Sequence, residues 1–233
     1  LLVYLLTLAP TITWAHGGAD GGDLITAVYT LGVPHPTGYP TYCLLGWLFA
    51  HLPLRDVAWR LNLMSAVGAA LAALGLCAAL LEWRRGRQGV GKDDIAAGLG
   101  AAWALAFVPL LWSQALIAEV YAVNAAFVAL VLWLALRMRR TGAPPVALGL
   151  AWGLSLGTHL TSGALLPVVM WALAAGRRGR SFPSAFLLWL MGTVLGLSTY
   201  VYLPLRDGRG AITWGNPTTP AGWWWLASGA LYR

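Results

Sequence analysis

Residues Val57–Lys92, VAWRLNLMSAVGAALAALGLCAALLEWRRGRQGVGK, decide the class of fold. From Val57 to Leu81 the only charge is Arg60, and the rest is largely Ala, Leu and Gly. An apolar run of this length spans the roughly 30 Å hydrocarbon core of a bilayer as one helix. It ends in Arg84, Arg85, Arg87 and Lys92, and short loops rich in Lys and Arg stay cytoplasmic. The helix therefore runs from outside to inside.

The pattern repeats outward from this stretch. Ile95–Trp112 leads back out, and Val120–Leu136 returns to Arg137, Arg139 and Arg140. Residues 141–175 start and finish inside, at Arg177, Arg178 and Arg180. They offer about 50 Å of helix against roughly 60 Å for two full crossings, which fits two short helices or a re-entrant pair meeting near Gly157–Thr161. Ala185–Leu203 exits again. On the near side, Leu1–Ala15 lacks the basic start of a signal peptide and reads as the remnant of a first membrane helix. The chain opens on Leu1 and stops at Arg233 after a Trp-rich stretch, so it reads as a piece of a larger protein. Hydrophobic residues make up 59% of the 233 positions and charged ones 10%, against about 25% charge in a soluble domain. The expectation is an all-α polytopic membrane protein. Residues 1–205 form its membrane module, with about seven membrane helices and a long first outer loop over 16–55. Residues 206–233 begin an outer Trp-rich segment.

Ten of the fifteen Lys and Arg residues sit in the three inner clusters, so the net charge of +7 reflects topology rather than a nucleic-acid partner. Glu82, Asp93 and Asp94 offset part of that inner charge. Outside, Arg55, Arg60, Arg206, Arg209 and Arg233 balance Asp20, Asp23, Asp56, Glu119 and Asp207. Cys43 and Cys77 give neither a disulfide framework nor metal spacing.

The polar residues left over converge on the outer face. Asp20 and Asp23 flank Gly-Gly before a helical-looking run, Leu24–Leu31. Asp23 suits a helix N-cap, whereas Asp20, where a helix leaves the bilayer, suits a general base. Two acids with two glycines could alternatively hold a divalent cation through oxygen ligands. His35 lies in VPHPTGYP, where three prolines and a glycine force irregular backbone. The loop is either a connector with a solvated imidazole or a pre-organised arm that aims His35, with Tyr39 beside it, at a substrate. Glu119 lies between two apolar spans, where a carboxylate is costly unless it has a function. His159 sits among small residues that permit close helix packing. Arg206 suits a phosphate through its forked donors, or it snorkels to headgroups. Trp214, Trp223, Trp224 and Trp225 favour a membrane interface, so this segment is expected to lie on the outer surface; stacking on a sugar is the alternative.

Several blocks, in order along nearly the whole chain, together resemble one family. They are Asp20–Tyr42, WRLNLMSA at 59–66, EVYAVNA at 119–125, GLSLGTHLT at 153–161, YLPLR at 202–206 and ITWGNPTT at 212–219. The chain resembles the protein O-mannosyltransferase-like family, glycosyltransferase family 117. The resemblance implies a GT-C fold with its active site on the extracytoplasmic face and a polyprenyl-phosphate sugar as donor. The family's Asp-x-Gly-acid block falls on Asp20, Gly22 and Asp23, the last standing where Glu is more usual. Its His-Pro-x-Gly block falls on His35, Pro36 and Gly38, its Glu-Val-Tyr block on Glu119, and its Leu-Gly-x-His block on His159. The function so implied is that of an inverting transferase in a bacterial plasma membrane, moving mannose to a hydroxyl of an exported protein or glycan. Asp20, Asp23 and Glu119 are the catalytic candidates; His35, Tyr39, His159, Arg206 and Trp214 are the substrate-binding ones. No resident cofactor is implied. A transporter or lipid flippase is the alternative from another class.

Overall fold

The computed structural model describes residues 1–87, 89–176 and 179–232. In chain order the helices are α1 (Leu2–Thr7), α2 (Gly21–Thr30), α3 (Pro40–Ala50), α4 (Val57–Arg85), α5 (Lys92–Phe107), α6 (Pro109–Ala115), α7 (Val120–Thr141), α8 (Pro145–Leu156), α9 (Leu166–Ala175), α10 (Phe182–Leu197), α11 (Tyr202–Arg206) and α12 (Pro220–Ala227). A 3₁₀ turn, Leu160–Leu165, leads into α9. Among the described residues there is no sheet, only an isolated bridge between Val33 and Thr213. Among the described residues, three helical stretches are long and apolar enough to cross a membrane: Val57–Arg85, Val120–Thr141 and Phe182–Arg206. The pair α5 and α6 makes a fourth if its 64° bend is one broken span. The chain is an all-α integral membrane protein.

The breaks follow from proline and glycine. Val108 precedes Pro109 and is extended, as a residue before proline prefers, so the helix bends there. The expected first helix over Leu1–Ala15 is helical only to Thr7. Pro10 has no N–H for a helical bond, and the chain beyond it turns irregular. Side chains hold this stretch of backbone in place. Asn62 donates to the carbonyls of Ala9 (2.9 Å) and Thr11 (3.2 Å), and Ala9 N–H donates to Leu116. The expected outer loop 16–55 is also more structured than its prolines suggest. It contains α2 and α3, the latter starting on Pro40, where a missing N–H costs nothing.

Two seams assemble the bundle. Gly149 and Gly153 on α8 face Gly192 and Gly196 on α10, and a Cβ added at any of the four would run into the other helix's backbone. This is close packing through small residues at four-residue spacing, which replaces the hydrophobic drive absent between helices in lipid. The second seam joins α4 to α7, where Gly68 meets Ala122 and Gly75 meets Ala129.

The two ends of the bundle differ in chemistry. At one end Arg140 bonds Glu82 (2.5 Å), Arg84 bonds Asp94 (2.5 Å) and Arg180 donates to Gly142 O (3.1 Å). Arg177, Arg178 and Arg233 lie outside the described residues. At the other end the α2–α3 loop, the start of α7, the α8–α9 break and residues 206–227 meet. The Trp-rich segment does more than lie on a surface. Leu226 and Ala227 are buried, and Trp223 and Trp225 pack on the core formed by Leu24, Val28, Tyr42 and Leu203, while Trp224 stays exposed. An eight-residue helix that buries one face against protein has less apolar surface to offer lipid.

Candidate active site

Asp20 stands at the N-cap position of α2, but its side chain makes no capping bond. Asp23, expected as the cap, sits in the first turn and points away from the helix end. One of its oxygens, Oδ2, accepts from the backbone N–H of His35 (3.0 Å) and from His35 Nδ1 (2.6 Å). The other, Oδ1, accepts from Trp214 Nε1 (2.8 Å). A side chain that satisfies a loop twelve residues away gains more bonds than one helix N–H could supply, so capping loses. Burial raises the Asp23 carboxyl, but the bonds from His35 and Trp214 outweigh it and hold the acid below its usual range.

His35 is only 6% exposed, which overturns the solvated-connector reading. Its Nε2 lies 3.7 Å from Asp20 Oδ2. Burial pushes the imidazole down, yet the Asp23 bond and the charges of Asp20, Asp23 and Glu119 together push it up, toward the imidazolium. Asp20 keeps an open side, with 51% of its side chain exposed.

Glu119 is 3% exposed and sits at the N-terminus of α7. Its backbone is pinned to α4: Ser65 Oγ accepts from Glu119 N–H (3.4 Å) and donates to Glu119 O (3.3 Å). Burial, and then the charge of Asp20, push its carboxyl up to about 7, against the opposing pull of Val120 N–H and His35.

His159 closes the far wall. Its ring stacks with Tyr39 at 6.4 Å and lies 5.4 Å from Tyr121. Tyr39 in turn meets His35 edge-on at 5.1 Å and donates its hydroxyl to Pro36 O. Burial lowers the His159 imidazole. Its Nδ1 accepts from Thr161 N–H (3.3 Å), so the network assigns the proton of the neutral ring to Nε2. Asn124 fixes the loop behind it, accepting from Thr158 (3.0 Å) and Ser162 (2.8 Å).

The structure thus gathers Asp20, Asp23, Glu119, His35, Tyr39, His159 and Trp214 at one end of the bundle. It places Arg206 in other company. The guanidinium donates to Leu31 O (2.6 Å) and Thr30 O (3.2 Å), closing the C-terminus of α2, where orphan carbonyls attract a cation. Tyr121, half-exposed beside His159, is a site residue that sequence reasoning misses, although it lies two residues past Glu119 in the same block. The two oxygens of Asp23 are already engaged. Among the described residues no group of three or more His, Cys, Asp and Glu is placed to hold a metal ion.

An all-α membrane bundle with carboxylates and histidines clustered at one end defines a membrane protein with a polar site at that end. Comparison with known proteins adds the family. Residues 20–181 match the family described as the protein O-mannosyl-transferase TMEM260 N-terminal domain, and the chain belongs to that family. It is 34% identical over 231 residues to protein O-mannosyl-transferase TMEM260 of Mus musculus, covering 94% of this chain and 31% of that protein. It is 26% identical over 243 residues to protein O-mannosyl-transferase tmem260 of Dictyostelium discoideum, covering 95% of this chain and 28% of that one. The chain therefore spans about a third of the length of these relatives. No solved structure matches it.

Proposed function

We propose that this chain is the membrane-embedded part of a glycosyltransferase that moves mannose from a polyprenyl phosphate to a protein hydroxyl on the extracytoplasmic side, which for a bacterial plasma membrane is the periplasm or exterior. The observation that carries this reading is the half-exposed Asp20 carboxylate next to His35 and Glu119, at the end of the bundle opposite the arginine clusters. Family membership and the names of the relatives support it. A groove of about 480 Å³ between α3, α4 and α7 supports a lipid-linked donor: Leu45, Phe49, Met64, Val123, Phe127 and Trp133 line it, and Val123 lies one turn from Glu119.

The chemistry is a displacement at the anomeric carbon. Asp20 takes the acceptor's O–H proton as its oxygen forms the new bond, and the polyprenyl phosphate leaves with the bonding pair. His35, held toward its cationic form, stabilises the charge that develops on the departing phosphate. Glu119, pushed up to about 7 by burial and by the charge of Asp20, is partly protonated near neutrality, which lessens its repulsion of the Asp20 carboxylate. His159, neutral with Nε2–H outward, donates to a sugar or phosphate oxygen, and the rings of Tyr39 and Tyr121 bound the same space.

Asp20→Asn preserves shape and removes the base. In the full-length protein in membranes, supplied with polyprenyl-phosphate mannose, the variant is expected to lose about 10²–10⁴-fold in transfer rate. Transfer at the wild-type rate would show that Asp20 is not the base. Translocation of the lipid with no glycosylated product would replace the transferase reading with a flippase.

A further inference from the structure

We infer that Trp214 is a positioning residue: its indole N–H fixes Asp23, Asp23 fixes the ring of His35, and Nε2 of His35 is the nitrogen presented to substrate. The inference rests on the transferase reading for its kinetic consequences, but not for its geometry.

The bonding leaves little freedom. An ionised carboxylate only accepts, and indole Nε1 only donates. Asp23 Oδ1 takes the Trp214 N–H at 2.8 Å, which anchors one end of the carboxylate. Oδ2 then faces His35 and receives both the backbone N–H and Nδ1, so Nδ1 carries a proton in either charge state of the ring. Nε2 is left facing the open side, 3.7 Å from Asp20. Orientation of a working imidazole by a buried carboxylate on its other nitrogen is a general device. Here the carboxylate is itself held by a residue from a remote segment.

That segment is built to deliver Trp214 to one place. Val33 N–H donates to Ile212 O (2.9 Å) and Trp214 N–H to Val33 O (3.0 Å), two residues before His35. Ala211 N–H donates to Thr30 Oγ1 (3.0 Å), Tyr202 OH to Gly32 O (2.6 Å), and Arg206 closes the same turn. Gly32 and Gly210 allow the two backbones to touch, since a Cβ on either would strike the opposing chain segment. The 206–214 segment and the His35 loop are therefore bonded into one unit. The Trp214 and His35 rings are T-shaped with centroids 6.3 Å apart, and the indole N–H is directed at Asp23.

The test separates this role from sugar stacking. Trp214→Phe keeps an aromatic face and deletes the N–H. In the full-length protein it is expected to lower kcat by about tenfold or more with KM little changed, and Trp214→Ala is expected to behave alike. The groups facing His35 are Asp20 and Asp23 from the start of α2, Glu119 from the start of α7, and Tyr39 from its own loop. Losing the indole N–H frees Asp23 to rotate and weakens its bond to His35, which removes part of what favours the imidazolium. The limb of the pH–rate profile that reports His35 should therefore move to lower pH. Wild-type kcat in Trp214→Phe, with a raised KM confined to Trp214→Ala, would make the indole a stacking surface and overturn the inference. A second measurement needs no turnover. In ¹⁵N-histidine-labelled full-length protein, with His35 assigned through His35→Gln, the wild-type ring should show a fixed Nδ1–H, and Trp214→Phe should release it to average between tautomers. An unchanged ring signal in Trp214→Phe would equally overturn the inference. If no mannose transfer occurs at all, the transferase reading fails and this signal still decides the role of Trp214.

Discussion

Two buried carboxylates at opposite ends of the bundle show what distinguishes a strut from a site. Glu82, in the last turn of α4, is 1% exposed and Glu119, before the first turn of α7, is 3% exposed. Both sit on the α4–α7 seam. Glu82 is enclosed by cations, with Arg140 Nε at 2.5 Å and Arg85 at 3.6 Å. Glu119 faces another acid, Asp20, and a histidine whose strongest partner is Asp23. Burial is equal, but compensation is not. A buried carboxylate paired with cations holds helices together, whereas one that faces another acid is pushed up toward neutrality, the range that acid–base chemistry needs.

The largest expected effect of breaking that contrast is at the strut. Glu82→Ala removes a buried carboxylate held by Arg140 and Arg85, and because both arginines reach solvent the cost falls at the lower end of the about 3–5 kcal/mol of a broken buried pair. Thermal unfolding in detergent should fall steeply, while the transfer rate per folded molecule should be preserved. Loss of turnover in the folded fraction would mean that the two ends are coupled and the contrast is false.

Next comes the site carboxylate. Glu119 has a folded-state pKa above its unfolded value, so the folded chain binds the extra proton and stability is greatest below the unfolded value. That stability is lost as pH rises from near 4.5 through about 7, a change on the order of 3 kcal/mol. Glu119→Gln removes the titration. The variant should match the wild type below pH 5, exceed it in stability at pH 8, and lose any limb near pH 7 in its pH–rate profile. A stability curve that keeps its fall between pH 5 and 7 in Glu119→Gln would assign that fall to another group.

The helices were legible because lipid imposes a simple rule: Val57–Leu81 and Val120–Leu136 must be apolar along their length, and their arginines mark one common end of the bundle. The break near Gly157–Thr161 was legible because residues 141–175 are too short for two full crossings, whereas Ile95–Trp112 reads as one span and the bend at Pro109 emerges only in the fold. The convergence of Asp20, His35, Glu119 and His159 could be reached through topology, since each falls at the helix ends opposite the arginine clusters. What topology does not encode is pairing. Asp23 looks like a helix cap in its own neighbourhood, and nothing within ten residues reveals that its partners are His35 and Trp214, the latter 191 positions away. Arg206 misleads in the same manner. A fork of donors after Tyr-Leu-Pro-Leu suits a phosphate as well as it suits the open carbonyls of Thr30 and Leu31, and only the fold places those carbonyls beside it.

The smallest effect belongs to a neutral hub between the two extremes. Asn124, on α7 just past Glu119, accepts from Thr158 and Ser162 and so ties α7 to the break that carries His159. Asn124→Ala deletes an acceptor without stranding a charge, because Thr158 also bonds Ser155 O (2.6 Å). Interhelical hydrogen bonds within membranes average about 0.6 kcal/mol and reach about 1.7, so stability should drop by roughly that range, far less than for Glu82→Ala. The functional consequence should be local. His159 and Tyr121 lose a fixed spacing while Asp20, Asp23 and His35 stay in place, so KM should rise with kcat and the pH–rate profile almost unaltered. A shifted pH profile in Asn124→Ala would show instead that the α8–α9 break helps set the charge state of the acid–histidine cluster, and the division between a titrating centre and a neutral wall would have to be redrawn.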